Sequence, residues 1–380
     1  MLLYMARTRF LKSKSASAQL VALFMGLIAP AAVPDLLPDA EASSRDKRTI
    51  RKLKKQNRGL RKTVNSLRAQ LTAARAQLPK PSIIEMVKVG NVGNAADAGN
   101  TTDPNVYGAV NYEYSIGKYE VSLAQYTRFL NAVAASDPNG LYNPNMATNL
   151  RIAGIERSGE NGEYTYSVIG SGNRPVTYVS WFDAARYCNW EHNECPTGVQ
   201  DASTTERGAY TLDGAITGGL DITRNPGAKY WIPSENEWYK AAFHDPRLAA
   251  DGGPPGNDFY WLYSTMSDTV PGNDIGPLPL ANQANYNDGS GYSVTQSLIE
   301  DPNQNYLTDG GSYEGSAGPY GTFDQGGNVW EWNDAVTPPI VSRGLRGGAW
   351  DVGYILRSSN RPSDAPDSEF SIIGFRVASP

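Results

Sequence analysis

Cysteine and histidine are nearly missing from this 380-residue chain, which has two of each and no cysteine after Cys195. That scarcity excludes a four-cysteine zinc site, a disulfide-dense scaffold and a three-histidine metal centre. A non-haem iron site would need both His192 and His244 beside a carboxylate. No Gly-x-Ser-x-Gly elbow or phosphate-binding glycine loop occurs, so two common catalytic frameworks have no footing. The apolar run Ala18–Val33 contains Gly26 and Pro30 and, at about 16 residues, falls short of the roughly 20 that span a bilayer.

The sequence is rich instead in 38 glycines and 25 prolines, which predict a loop-rich fold. Its 22 tyrosines and 8 tryptophans need a core to pack on and argue against disorder. At 40% hydrophobic residues the chain can bury one large domain or two small ones.

The formal net charge of −5 is a sum of unlike parts. Residues 1–44 carry four Lys/Arg against three acids, 45–80 carry thirteen against one, and 81–380 carry seventeen against thirty-five. A basic segment therefore precedes a strongly acidic domain.

Arg7, Arg9, Lys12 and Lys14 precede the apolar run, and Ala29-Pro30-Ala31 and Ala40-Glu41-Ala42 offer small-residue cleavage sites. Residues 1–42 read as an export signal, which predicts a secreted or periplasmic protein with no transmembrane span in the mature chain. In residues 43–78, Ile50, Leu53, Asn57, Leu60, Val64, Leu67, Leu71, Ala74 and Leu78 recur at spacings of 3 and 4, the pattern of a coiled coil. Asn57 at an a position favours a parallel homodimer, with a trimer as the alternative. Gly59 weakens this helix by about 1 kcal/mol. Its basic flanks face an anionic surface, either the acidic domain, lipid or wall polymer, or else form a solvated stalk; nucleic acid does not suit an exported protein. Pro79-Lys80-Pro81 ends the helix as a linker, and the globular domain occupies 82–380.

Three helices are marked within that domain. Ser122 caps the first, with Tyr126, Phe129, Leu130 and Val133 on one face. Ser180 with Asp183 and Ser234 with Glu237 fit capping boxes at the starts of the second and third.

Six blocks then follow in order: Gly117-Lys118-Tyr119-Glu120-Val121-Ser122, Arg174-Pro175-Val176-Thr177-Tyr178-Val179-Ser180-Trp181, Trp231-Ile232-Pro233-Ser234-Glu235-Asn236-Glu237-Trp238, Gly326-Gly327-Asn328-Val329-Trp330-Glu331-Trp332, Arg346-Gly347-Gly348-Ala349-Trp350 and Gly374-Phe375-Arg376-Val377-Ala378. Through them the chain resembles the sulfatase-modifying-factor family of formylglycine-generating enzymes. The resemblance implies a single α/β (α+β) domain related to C-type lectin folds, with little regular secondary structure, here preceded by the coiled-coil helix.

The resemblance also implies structural calcium at Asp324, the carbonyls of Gly327 and Val329, and Glu331. The seven-residue spacing of carboxylates around a glycine turn suits that ion, although a turn cap at Asp324 and a solvated Glu331 would explain the same residues. A second family site would use Asn285 and the carbonyl of Tyr286. The family's oxidase chemistry holds copper(I) on two cysteines after the Gly-Gly-aromatic motif. Here Trp350 is followed by Asp351-Val352-Gly353-Tyr354-Ile355-Leu356, so copper and formylglycine generation are not expected.

Cys188 and Cys195 form a disulfide, share a metal with His192, or are independent thiols. His244 reads as a helix terminus rather than a general base. These residues predict a non-catalytic, calcium-stabilised binding or scaffold domain on a stalk, taking a glycan, peptide or wall polymer on loops 140–173, 193–228 and 285–320. The alternative is a related oxidoreductase with a divergent site.

Overall fold

The computed structural model describes residues 84–98 and 106–380, apart from 257, 277–278, 338–341, 352 and 354, together with Lys55, Arg58, Gly59 and Lys62, which are helical. The expected signal over 1–42, the heptad positions of 50–78 and the 79–81 linker lie outside the described residues. The chain divides into two units, 1–81 and 82–380.

In chain order the second unit contains β1 (Met86–Val89), β2 (Tyr114–Gly117), α1 (Leu123–Val133), α2 (Asn145–Thr148), β3 (Ile155–Ser158), β4 (Thr165–Val168), α3 (Trp181–His192) and α4 (Glu235–Phe243). It continues with β5 (Trp330–Val336), β6 (Arg343–Arg346), β7 (Ser363–Asp364), β8 (Ile373–Gly374) and β9 (Ala378–Ser379).

The three helices begin where the side-chain chemistry dictates. Ser122, Ser180 and Ser234 each accept a hydrogen bond from the backbone amide three residues on, and Gln125, Asp183 and Glu237 reach back to the cap amides. Each reciprocal pair satisfies two donors that a helix start leaves open. Helix α1 buries Leu123, Tyr126, Phe129, Leu130 and Val133 along one stripe. Helix α3 differs, being buried from Trp181 to Glu191 on all sides. Its polar residues are therefore paired: Arg186 with Glu206 at 2.7 Å, and Asn189 with the backbone of Thr205 and Tyr210 at 2.7 Å each.

The segment 140–173, expected as open loop, contains α2 and the β3–β4 hairpin. Ile155 and Tyr166 are the hairpin's buried residues; Arg157 stacks on Tyr142 and Tyr164 within the segment, and Asn131 of α1 ties it to the domain through bonds of 2.8 and 3.0 Å to the Tyr166 carbonyl and amide.

Two small sheets set the frame. Strands β1, β2 and β9 pair antiparallel in that order, so residues from the two ends of the domain lie side by side. The second sheet runs β7-β6-β5-β8, with β5 and β8 parallel. Trp181, Trp190, Trp332, Tyr187 and Phe375 fill the space between helices and sheets at under 2% exposure. Burying each such side chain is worth about 1.5–3 kcal/mol.

Candidate functional site

Strand β5 enters its sheet through the turn that carries the expected calcium residues. Asp324, Gly327 and Asn328 all take positive φ, at 59°, 89° and 61°. Aspartate and asparagine tolerate that region, but Gly327 has a further reason to be glycine, because a Cβ there would strike the carbonyl of Asn285. The close approach lets Asn328 N donate to Asn285 O at 2.8 Å. The structure therefore brings the two expected calcium groups, Asn285 and Gly327–Val329, against one another.

The individual residues are placed as follows. The Asn285 amide donates to Tyr306 O at 2.9 Å and to Asn328 Oδ1 at 3.0 Å. The Tyr286 carbonyl accepts from Asn273 at 3.3 Å, and its hydroxyl donates to Pro271 O. Val329 is buried, and Gly327 N donates to Gly347 O at 3.0 Å.

Glu331 is held in an ion pair. Arg376 grips it with two bonds of 2.5 and 2.6 Å, Trp238 Nε1 donates to Oε2 at 2.7 Å, and neither partner of the ion pair is exposed. Glu331 is thus held by Arg376 and Trp238, while Asp324 lies in the turn itself.

Arg376 is the organiser the sequence reading missed. Beyond Glu331, its Nη1 donates to Gly117 O at 2.9 Å and Lys118 O at 3.4 Å, and its Nη2 donates to Phe323 O at 2.9 Å. Those five bonds use all five guanidinium hydrogens. Glu120, buried in the same region, receives none of them, and neither of its oxygens has a hydrogen-bond partner. Burial, and then the Asp324 charge, push the Glu120 carboxyl well above its usual range. Burial likewise raises Asp324 to about 6, against the pull of a 2.6 Å bond from Gly311 N.

Asp324 also lines a small cavity with room of about 10 Å³ for a water-sized occupant. Ser264, Thr265, Tyr313, Ser316, Thr322 and Gln325 complete most of its wall.

The position where the family's cysteine pair would follow the Gly-Gly-aromatic motif is filled differently. Trp350 is 4% exposed and stacks on Tyr306 with ring centres 5.0 Å apart, and Tyr292 tilts against it at 5.9 Å. Asp351 follows, with Oδ1 buried and unpartnered.

Cys188 and Cys195 are separate thiols, so the disulfide alternative is not formed. The reason is local: Glu194 and Cys195 adopt positive φ after the helix ends at Asn193, turning Cys195 toward Glu191 at 3.3 Å and Arg128 at 3.8 Å. Burial, with Glu191 beside it, pushes the Cys195 thiol up to about 12, far from a reactive thiolate. His244 closes α4 and is buried against Tyr320 and Asn91 at 2.8 and 3.3 Å; burial drops it to about 4. Among the described residues no three His, Cys, Asp or Glu side chains are grouped as a metal ion would need.

These blocks and this turn define a class: the chain belongs to the sulfatase-modifying factor family, matching the Sulfatase-modifying factor enzyme 1-like domain over residues 70–380. It is 27% identical over 249 residues to the Chaperone protein LppX of Paenibacillus barcinonensis, covering 63% of this chain and 69% of that one. It is also 27% identical over 223 residues to the inactive C-alpha-formylglycine-generating enzyme 2 of Mus musculus, covering 55% of this chain and 52% of the relative, about half its length. Among solved structures it is similar to CarF, at 20% identity and a TM-score of 0.41, covering 78% of this chain and 98% of CarF.

Proposed function

We propose that this chain is an exported, non-catalytic binding or scaffold domain, stabilised by calcium and carried on a basic coiled-coil stalk that pairs two copies. One observation carries the reading. The family's sequence blocks are present in order, yet after Arg346-Gly347-Gly348-Ala349-Trp350 comes Asp351, and no cysteine lies beyond Cys195. Copper(I) needs soft thiolate ligands, and this chain has none to offer there.

Two relatives named for an inactive enzyme and for a chaperone are in keeping with that reading. The binding surface is assigned to the 285–320 loop and its surroundings. Leu298 and Ile299 stand 60% and 82% exposed there, and an open cleft of about 140 Å³ separates Asp274–Leu280 from Ser312–Glu314. A glycan, a peptide or a wall polymer would each suit such a surface.

The test is metal content together with activity on a cysteine-containing sulfatase peptide, on protein purified under oxygen. Calcium without copper or iron, and an unmodified peptide, are expected; conversion of the peptide cysteine would instead establish the divergent oxidoreductase. N-terminal sequencing of the mature protein checks export. Sedimentation of 43–380 beside 82–380 checks the stalk, with a dimer expected only for the longer chain.

A further inference from the structure

The segment between β7 and β8 is fastened to the start of α3. Pro366 O accepts from Trp181 N at 2.9 Å, and Phe370 O accepts from Tyr178 N at 3.0 Å. Glu369, between them in sequence, accepts from Asn143 Nδ2 at 2.6 Å. At this junction Tyr178 takes a φ of 57°, a left-handed conformation that a bulky residue keeps only under restraint. Two bonds restrain it: its amide to Phe370 O, and Asn149 Nδ2 onto its hydroxyl at 2.8 Å.

The same grip gathers carboxyl groups. Asp183 is 2% exposed, and one of its oxygens accepts from Ser180 N at 2.8 Å and from Ser180 Oγ at 2.6 Å. Glu369 is the charge that acts on it most strongly. Asp137, from the loop after α1, and Asp367, from the segment itself, act on Glu369 in turn. The Tyr126 hydroxyl of α1 interacts electrostatically with Asp183, Asp137 and Glu369 alike. Arg186, one turn along α3, is the cation set against Asp183, but its Nε and Nη2 are engaged by Glu206 at 2.7 and 3.0 Å. Burial above all raises both Asp183 and Glu369, against the pull of the Ser180 and Asn143 bonds. Two carboxylates brought together out of water repel one another when both are ionised, and one proton between them removes the conflict.

We propose that residues 365–371 form a proton-operated clasp: Asp183 and Glu369 keep one proton between them while the segment is seated on α3, and release of that proton to solvent lets the segment lift and Tyr178 relax. Both carboxyls hold a proton more tightly seated than free, so closure is firmest in acid and is lost as pH rises through about 7. Ser371 O accepts from Trp350 Nε1 at 3.4 Å, and Phe370 stands 47% exposed, so opening acts on the face beside Trp350.

The experiment is hydrogen exchange read by mass spectrometry on the full chain between pH 5 and pH 8, corrected for the intrinsic pH dependence of exchange. Peptides covering 176–182 and 365–372 should lose protection by at least ~10-fold more than the rest of the domain. Glu369→Gln keeps an acceptor for Asn143, and Asp183→Asn keeps one for the Ser180 amide; each should fold and shrink that local loss. No loss of protection, or a loss spread evenly over the domain, would overturn the clasp. A local loss that both variants leave at its wild-type size would overturn it as well, by removing the carboxyl pair as its cause.

Discussion

Two buried polar regions meet at residues 323–331, and they are built on opposite plans. Around Arg376 every donor has an acceptor: the Glu331 carboxylate, which also accepts from Trp238 Nε1, and three carbonyls close the network. Around Thr322, Gln325 and Glu120 the acceptors outnumber the donors, and four side-chain oxygens end without a bond. A saturated network holds strands together by itself, whereas an unsaturated one is stable only with an occupant or with protons taken up.

The largest effect is expected from breaking the saturated side. Arg376→Met leaves Glu331 buried without its counter-charge and should cost about 3–5 kcal/mol in urea unfolding, with or without calcium. Trp238→Phe removes one donor from Glu331 and should cost about 1–3 kcal/mol. A smaller effect is expected with pH. Burial, together with Glu369, raises Asp183 to about 7, and burial raises Asp334 to about 7, from an ordinary 3.8. A carboxyl that holds its proton more tightly folded than unfolded contributes stability that is full below 3.8 and lost as pH rises through 7. Urea midpoints should therefore decline from pH 5 to pH 8, and Asp334→Asn should flatten the decline. The smallest effect sharpens the contrast: in EDTA, Thr322→Val removes a hydroxyl that has no partner and should change stability by no more than about 0.5 kcal/mol.

What could be read from the sequence was whatever is local. Ser122, Ser180 and Ser234 announced their helices because a cap and its answering residue lie three positions apart. Asp324 stood out because its glycine-rich turn follows at once. The Glu331–Arg376 pair was not legible because the partner lies 45 residues further on, and a carboxylate looks the same in sequence whatever it faces. Glu120 and Arg376 were passed over as members of the family's sequence blocks; a charged residue flanked by apolar ones was the available signal. The hairpin β3–β4 escaped because Glu156, Arg157 and Ser158 break the apolar pattern in a strand only four residues long. Nothing near Thr322 or Gln325 hinted at a cavity, since its wall is gathered from five separate stretches of chain between Ser264 and Gly326.

The pairing of β2 with β9 has a kinetic consequence. Strand β2 cannot acquire its second neighbour, nor Glu331 its guanidinium, until residues 376–379 have been synthesised. A nascent chain emerging from the ribosome would hold its tryptophan-rich helices against an unfinished frame and close late, in one cooperative step. That order of closure makes the Gly374-Phe375-Arg376 segment the latch of the finished domain.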